Sequence, residues 1–203
     1  MTSQIIFLNF AIYLCACFSY FHILSFGIFK NPLFPNMVMA IELLDENNIR
    51  SLSSEERFSV CEQILKNERD ESKRWDAVWL IGELAENKDH DDPMFIKISD
   101  VLGWVLDNDD NGVVKHEACF QVAARNMRNK IPTLVNTALH NSSILAKHEA
   151  IESLGLMRAF ETESLIKKAL NDPSSDVRET AAFVLKRFER LKNRGNYNPS
   201  DIL

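Results

Sequence analysis

A chain of 203 residues with 46 % hydrophobic and 26 % charged residues has the makings of one ordinary core. Six Gly, six Pro and four Cys exclude collagen-like, low-complexity and disulfide-scaffold proteins. A net charge of −6 and a pI near 5.4 argue against nucleic acid as a partner, because sequence-independent binding of that kind needs a basic face.

The apolar content is uneven. Residues 5–29 contain no Asp, Glu, Lys or Arg, and 20 of these 25 are apolar. Residues 1–36 hold seven of the thirteen Phe and a single charge, Lys30. A helix of that length spans the ~30 Å hydrocarbon core of a bilayer, so the segment reads as an anchor. Lys30 would then place the rest of the chain in the cytoplasm. The basic start and small-residue cleavage motif of a secretory signal are missing. The same Phe, Ile, Leu, Asn, Tyr and Ser are what AT-rich non-coding sequence yields ahead of a start at Met37 or Met39. The leader, residues 1–36, is therefore either a membrane anchor or a misassigned start, and membrane contact depends on the first reading. The other 167 residues carry a net charge of −7. No Cys-x-x-Cys pair occurs among Cys15, Cys17, Cys61 and Cys119, which fits a reducing, cytoplasmic setting without structural zinc.

From residue 37 onward the hydrophobic period is helical, and no stretch alternates with period two. Residues 37–71 read as N-terminal helices. Within them Ser53-Ser54-Glu55-Glu56 forms a capping box ahead of a stripe made by Phe58, Cys61, Ile64 and Leu65. Residues 72–192 contain an internal repeat. Four segments align: Lys73-Arg74-Trp75-Asp76-Ala77-Val78, Val114-Lys115-His116-Glu117-Ala118-Cys119, Ala146-Lys147-His148-Glu149-Ala150-Ile151 and Val177-Arg178-Glu179-Thr180-Ala181-Ala182. Each has a cation, two variable positions and then an Ala that opens an apolar stripe. Taking Trp75, His116, His148 and Glu179 as equivalent, the steps are 41, 32 and 31 residues. Shorter apolar helices precede the later three, at Phe95–Leu106, Ile131–Leu139 and Glu163–Leu170. Turn signals at residues 107–112, 141–143 and 171–175 separate the partners. The long first step accommodates an acidic insertion, residues 87–93, which reads as a solvated loop. Residues 193–203 form a polar tail, and the basic run Lys186–Arg194 complements a helix C-terminus. Phe183, Val184 and Phe188 are candidates for core or interface.

Helix, turn, helix at about thirty residues predicts stacked antiparallel pairs. The fold class expected is all-α, a short right-handed α-solenoid of helical hairpins. Tetratricopeptide and ankyrin signatures are missing, and the pattern resembles short HEAT-like repeats of the bilin-lyase type. Trp79 and Trp104, at helical spacing among apolar neighbours, read as core residues.

The most specific signal is chemical. By composition a given dipeptide is His-Glu about once in 500, yet His116-Glu117 and His148-Glu149 occupy the same place in consecutive repeats. Equivalent positions on packed neighbouring helices lie ~8–10 Å apart, within side-chain reach of a shared point. Two imidazoles and a carboxylate converging from one side make the facial triad of non-haem iron. Zinc-protease chemistry is disfavoured, since Phe120 and Glu152 stand where His-Glu-x-x-His needs its second His.

Lys115-His116-Glu117-Ala118 and Lys147-His148-Glu149-Ala150, followed by Glu152-Ser153-Leu154-Gly155 and Val177-Arg178-Glu179-Thr180, resemble deoxyhypusine hydroxylase, a HEAT-repeat di-iron monooxygenase. The similarity runs over roughly residues 72–191. It implies that His116, His148 and Glu149 ligate one iron, as Fe²⁺. Glu117 would stand beside the metal or hold a cationic substrate amine, a catalytic role. The reaction implied is hydroxylation of a lysine-derived, deoxyhypusine-type side chain on a protein substrate. That family has two four-repeat halves and four His-Glu motifs, whereas this chain has one half and two. A second iron would need a second copy, in a homodimer; otherwise the site is mononuclear, or the chain is a relative that has lost the chemistry. The competing expectation is a non-catalytic HEAT-repeat scaffold that binds a protein partner.

Overall fold

The computed structural model describes residues 44–193. The hydrophobic leader with its anchor-or-start question, the alternative starts Met37 and Met39, and the tail beyond residue 193 lie outside the described residues. Among the described residues there are nine α-helices and two 3₁₀ turns, with no strand. No helix among them is long and apolar enough to cross a membrane.

The helices are α1 (Glu46–Ser51), α2 (Ser54–Asn67), α3 (Glu71–Glu83), α4 (Pro93–Asn108), α5 (Gly112–Ala124), α6 (Ile131–His140), α7 (Ile144–Leu156), α8 (Glu163–Ala169) and α9 (Ser175–Asn193). Oxygen-bearing caps set most of the starts. Asp70, Asp92, Asn111 and Ser143 each accept from a backbone N–H of the first turn of the helix that follows. At α2 both halves of the expected capping box form, Ser53 to the Glu56 N–H and Glu56 back to the Ser53 N–H. The turns after α5 and α7 are alike. Asn126 and Arg158 adopt positive φ (48° and 50°), and the N–H groups of Met127 and Ala159 reach the carbonyls of Val122 and Leu154. That is a Schellman-type close, made here without glycine.

Consecutive helices pack as pairs, α2 with α3, α4 with α5, α6 with α7 and α8 with α9. The second helices stack on one another as an inner row, α3–α5–α7–α9, while α4, α6 and α8 pack as an outer row. The expected all-α solenoid is present, and its core is continuous through the pairs.

The alanine of each repeat motif explains how closely the inner helices stack. Ala77, Ala118, Ala150 and Ala181 are all fully buried. Glycine serves the same end further along. A Cβ on Gly155 would sit 2.9 Å from Val184 of α9, and one on Gly82 would sit 2.1 Å from the Gln121 amide of α5. The repeated cation has a separate task. Arg74 binds Asp109 through two hydrogen bonds of 2.8 and 3.1 Å and Asp110 at 2.8 Å, tying α3 to the turn of the next pair. Lys147 does the same for α7 through Asp172, at 2.6 Å. Of the three apolar candidates near the C-terminus, Val184 and Phe188 are core, whereas Phe183 is 48 % exposed.

Ala150 lies where α7 is buried against its neighbours, so added volume there forces the inner row apart. Ala150→Leu is expected to cost about 1–3 kcal/mol. In urea titration this would appear as a lower midpoint with an unchanged slope, and an unchanged midpoint would contradict the close stacking.

Candidate metal centre

The repeat register carries the His-Glu dyads onto one surface of α5 and α7. His116 and Glu117 come from the second turn of α5, and His148 and Glu149 from the matching turn of α7. The dyads do not pair within themselves. His116 Nε2 lies 3.1 Å from Glu149 Oε2, across the helix gap. His148 Nε2 lies 3.3 Å from Glu152 Oε2, one turn on along α7. Ligand atoms of His148, Glu149 and Glu152 all fall within 4.8 Å of one another. His116 joins this group through Glu149. Glu117 is turned elsewhere: it is buried and accepts a 2.7 Å hydrogen bond from the Gln121 amide.

The third helix fixes a tautomer. Thr180 of α9 donates its hydroxyl proton to the Asp176 carbonyl at 2.7 Å. A hydroxyl has one proton, so at its 2.7 Å contact with His148 Nδ1 it must accept. His148 therefore carries a proton on Nδ1, and in the neutral ring Nε2 presents a lone pair. That lone pair faces a carboxylate oxygen. Two electron-rich atoms at 3.3 Å require a cation between or on them, which is either a proton on Nε2 or a metal ion. Cis ligand atoms each ~2.1 Å from an octahedral ion lie ~3.0 Å apart, close to both imidazole–carboxylate distances.

In the metal-free chain the proton takes that role. Burial works against charge on His116, yet its hydrogen bond to Glu149, with the charges of Glu149 and Glu117, holds it above the ordinary histidine value. The hydrogen bond to Glu152 raises His148 against burial, and the same bond holds Glu152 below the usual carboxylate range. Burial pushes the Glu117 carboxyl up, partly offset by Gln121. Beside the centre, Ser153 is buried and donates to the Cys119 carbonyl at 3.0 Å, and Cys119 is a buried free thiol; Cys61, also buried and free, lies on α2.

Three residues that shape this centre were not among the sequence candidates. Glu152 was visible as the i+4 neighbour of His148 on the same helix face. Gln121 and Thr180 reach their partners only through packing of α5 and α9. The acidic loop before α4 does not join the centre. His90 is exposed and stacks on Phe95 at 4.9 Å, and Asp92 caps α4. Trp104 packs half-buried against the core as expected. Trp79, read as core, instead lies half-buried in the surface row of Phe120 and Glu152, because it holds the same repeat position as those two residues.

A family model for HEAT repeats matches residues 99–186. Deoxyhypusine hydroxylase of Arabidopsis thaliana is 28 % identical over 156 residues, covering 75 % of this chain and 46 % of that protein. The Danio rerio enzyme of the same name is 30 % identical over 100 residues, 48 % of this chain and 33 % of that protein. The chain is a HEAT-like repeat protein that resembles deoxyhypusine hydroxylase. The solved human deoxyhypusine hydroxylase in complex with glycerol shares the fold. Its TM-score is 0.58 at 22 % identity, over 74 % of this chain and 50 % of that one. The chain spans less than half the length of these two relatives.

The pairing pattern makes separable predictions for the metal-free chain. Glu149→Gln should return His116 toward the ordinary value near 6.5, and Glu152→Gln should do so for His148, each followed by NMR titration of the ring protons. Because both imidazoles are raised in the fold, their stabilisation is complete below ~6.5 and lost as pH rises through the raised values. The contribution of Glu152, which is lowered, is present above its ordinary 4.5 and lost as pH falls. The His148–Glu152 pair thus supports the metal-free fold best between those two values. The charge of Glu149 also raises His148, so that ring follows with a smaller shift in Glu149→Gln, and equal shifts of both histidines would contradict the crossed pairing.

Proposed function

We propose that this chain is a non-haem iron, monooxygenase-like HEAT-repeat protein acting on a lysine-derived, deoxyhypusine-type side chain of a protein substrate. The observation that carries the reading is the convergence of two imidazole Nε2 atoms on two carboxylates, at 3.1 and 3.3 Å, from consecutive repeats. The donor set fits ferrous iron: two neutral nitrogens, one of them with its tautomer pinned by Thr180, and hard carboxylate oxygens. His116, His148 and Glu149 would hold the ion, and Glu152 stands within reach as a further oxygen ligand. Iron bound there supplies redox chemistry with O₂ at positions the protein leaves open.

The chain's own residues have distinct tasks. Thr180 orients His148 and keeps Nε2 available. Glu117, buried and held by Gln121 next to this group rather than within it, would offer a carboxylate to a substrate ammonium. The acidic balance of the chain favours a basic target. The names of the relatives suggest deoxyhypusine as that target. With one pair of dyads per chain, a dinuclear centre would come from a second copy in a homodimer. The buried free thiols Cys61 and Cys119 suit a reducing, cytoplasmic setting.

Anaerobic loading with Fe²⁺ followed by metal analysis tests the reading. About one iron per chain is expected, abolished when His116 and His148 are both replaced by Ala. Thr180→Val keeps every ligand but frees the His148 ring, and affinity should fall ~10–100-fold. A mass gain of one oxygen on a deoxyhypusine-bearing substrate peptide would complete the case. A folded chain that takes up no iron would leave the second reading, a non-catalytic HEAT-repeat scaffold for a protein partner.

A further inference from the structure

The first inner helix keeps the geometry of the dyads but changes their chemistry. In the repeat register Trp75 of α3 stands where α5 and α7 carry His116 and His148, and Asp76 stands where they carry Glu117 and Glu149. One turn on, Trp79 takes the place of Phe120 and Glu152. The rings form a continuous strip. Trp75 and Trp79 stack with centroids 6.4 Å apart and planes 14° apart, and Trp79 and Phe120 stack at 6.3 Å and 3°. All three are half-buried, so part of each ring reaches the surface. Trp79 is fixed by its indole N–H, which donates to Glu83 at 2.9 Å. Glu83 is in turn held by Arg50 and Arg57.

Asp76 differs from the other buried or half-buried carboxylates on this face. Among the described residues Glu83, Glu117, Glu149 and Glu152 each have a hydrogen-bond or ion-pair partner, whereas Asp76, also partly buried, has neither. Its surroundings are acidic rather than basic: burial raises its pKa, and the nearby charges of Glu46 and Asp70 raise it further. Asp76 and Trp79 are neighbours at i and i+3 on α3, and an unpaired carboxylate next to an aromatic residue in a negative field gains by taking up an organic cation. Ring quadrupoles attract an ammonium within ~6 Å of a centroid, by about 0.5–2 kcal/mol, and tryptophan does so best. A guanidinium or metal ion suits the place less. It offers one carboxylate, no nitrogen ligand and apolar walls that match a methylene chain.

We infer that Trp75, Asp76, Trp79 and Phe120 form a binding site for an alkylammonium group, the lysine side chain of a bound polypeptide, one helix spacing from the His-Glu centre. The methylenes lie along the ring strip and the ammonium pairs with Asp76. This site does not depend on the metal reading: it would receive a second lysine of whichever protein lies along the inner row. Alternate side chains of an extended segment are ~7 Å apart, comparable to the ~8–10 Å between inner helices, so neighbouring lysines can address the two places together.

The test uses the full, metal-free chain and N-acetyl-lysine methylamide as the probe, with uncharged N-acetyl-norleucine methylamide as control. The expected result is millimolar binding of the lysine probe, seen as shifts of the Trp75 and Trp79 indole N–H signals. Asp76→Asn should weaken it at least fivefold and Asp76→Glu should largely restore it. Replacing both His116 and His148 by Ala should leave it unchanged, which separates this site from the metal centre. Trp79→Ala should also lose binding, and Asp76→Asn decides the matter if that variant unfolds. The inference is overturned if lysine causes no indole shift at 50 mM probe, if norleucine shifts the indoles equally, or if Asp76→Asn binds as the native chain does.

Discussion

Close approach of the inner helices is the constraint from which the candidate site follows. Side chains of His and Glu extend only a few ångströms, so dyads on different helices meet only if their backbones are near. The four buried motif alanines, with Gly82 and Gly155, remove the bulk that would hold α3, α5, α7 and α9 apart. Larger residues at those places would still give an amphipathic helix and a hydrophobic core. They would widen the 3.1 Å contact between His116 and Glu149 beyond what one ion spans. The same alanine that reads as a packing feature is thus a condition for the chemistry.

Charge sets the second condition. Glu117 and Glu149 are each only 6 % exposed, and an isolated buried carboxylate is costly. The structure answers with opposite-sign or hydrogen-bonding partners for each: Gln121 for Glu117 and the His116 imidazole for Glu149. The solution for His148 is more specific. With Nδ1 committed to Thr180, its ring cannot turn a neutral N–H toward Glu152, so the pair must hold a proton or a metal ion. The helix macrodipole disfavours such positive charge near an N-terminus by up to ~1 kcal/mol. His116 and His148 sit in the second turn of their helices, and facing carboxylates within 3.3 Å dominate that weaker field.

Much of this was legible in the sequence because repeats translate periodicity into position. The expected outer helices at Phe95–Leu106, Ile131–Leu139 and Glu163–Leu170 match α4, α6 and α8 to within two residues at each end. The turn signals fall between the partners, since Asn, Asp and Ser cap helices through backbone N–H groups two or three residues on. Register also placed His116, His148 and Glu149 on one surface. Sequence spacing could not say which atoms pair. It groups His116 with Glu117, whereas the contact crosses to Glu149, because a neighbour at i+1 on a helix points away by 100°. Glu152 was within reach of an i+4 argument. Gln121, Thr180 and the outward placement of Trp79 depend on how three helices meet, which no local pattern encodes. The leader and tail were read from composition and lie beyond the described residues.

The outward side of α9 bears on how a second centre could form. In the repeat register Lys186 occupies the place held by Gly82, Ala123 and Gly155 in the preceding inner helices. Those small residues receive the next helix at contact distance; Lys186 is exposed and too long to do so. Ala182, exposed here, likewise stands where Val78, Cys119 and Ile151 are fully buried. A further helix stacked on α9 at the same spacing would have to desolvate that ammonium without a partner. The face bearing His116, His148, Glu149 and Glu152 has no such barrier, and Phe183, 48 % exposed, shares its row. A second copy bringing its own dyads would therefore do better to meet this inner face than to lengthen the stack. That arrangement also sets carboxylates against carboxylates, a repulsion that shared cations would relieve. Assembly and metal binding would then favour each other, so in a dimer of this kind the metal content and the oligomeric state rise together.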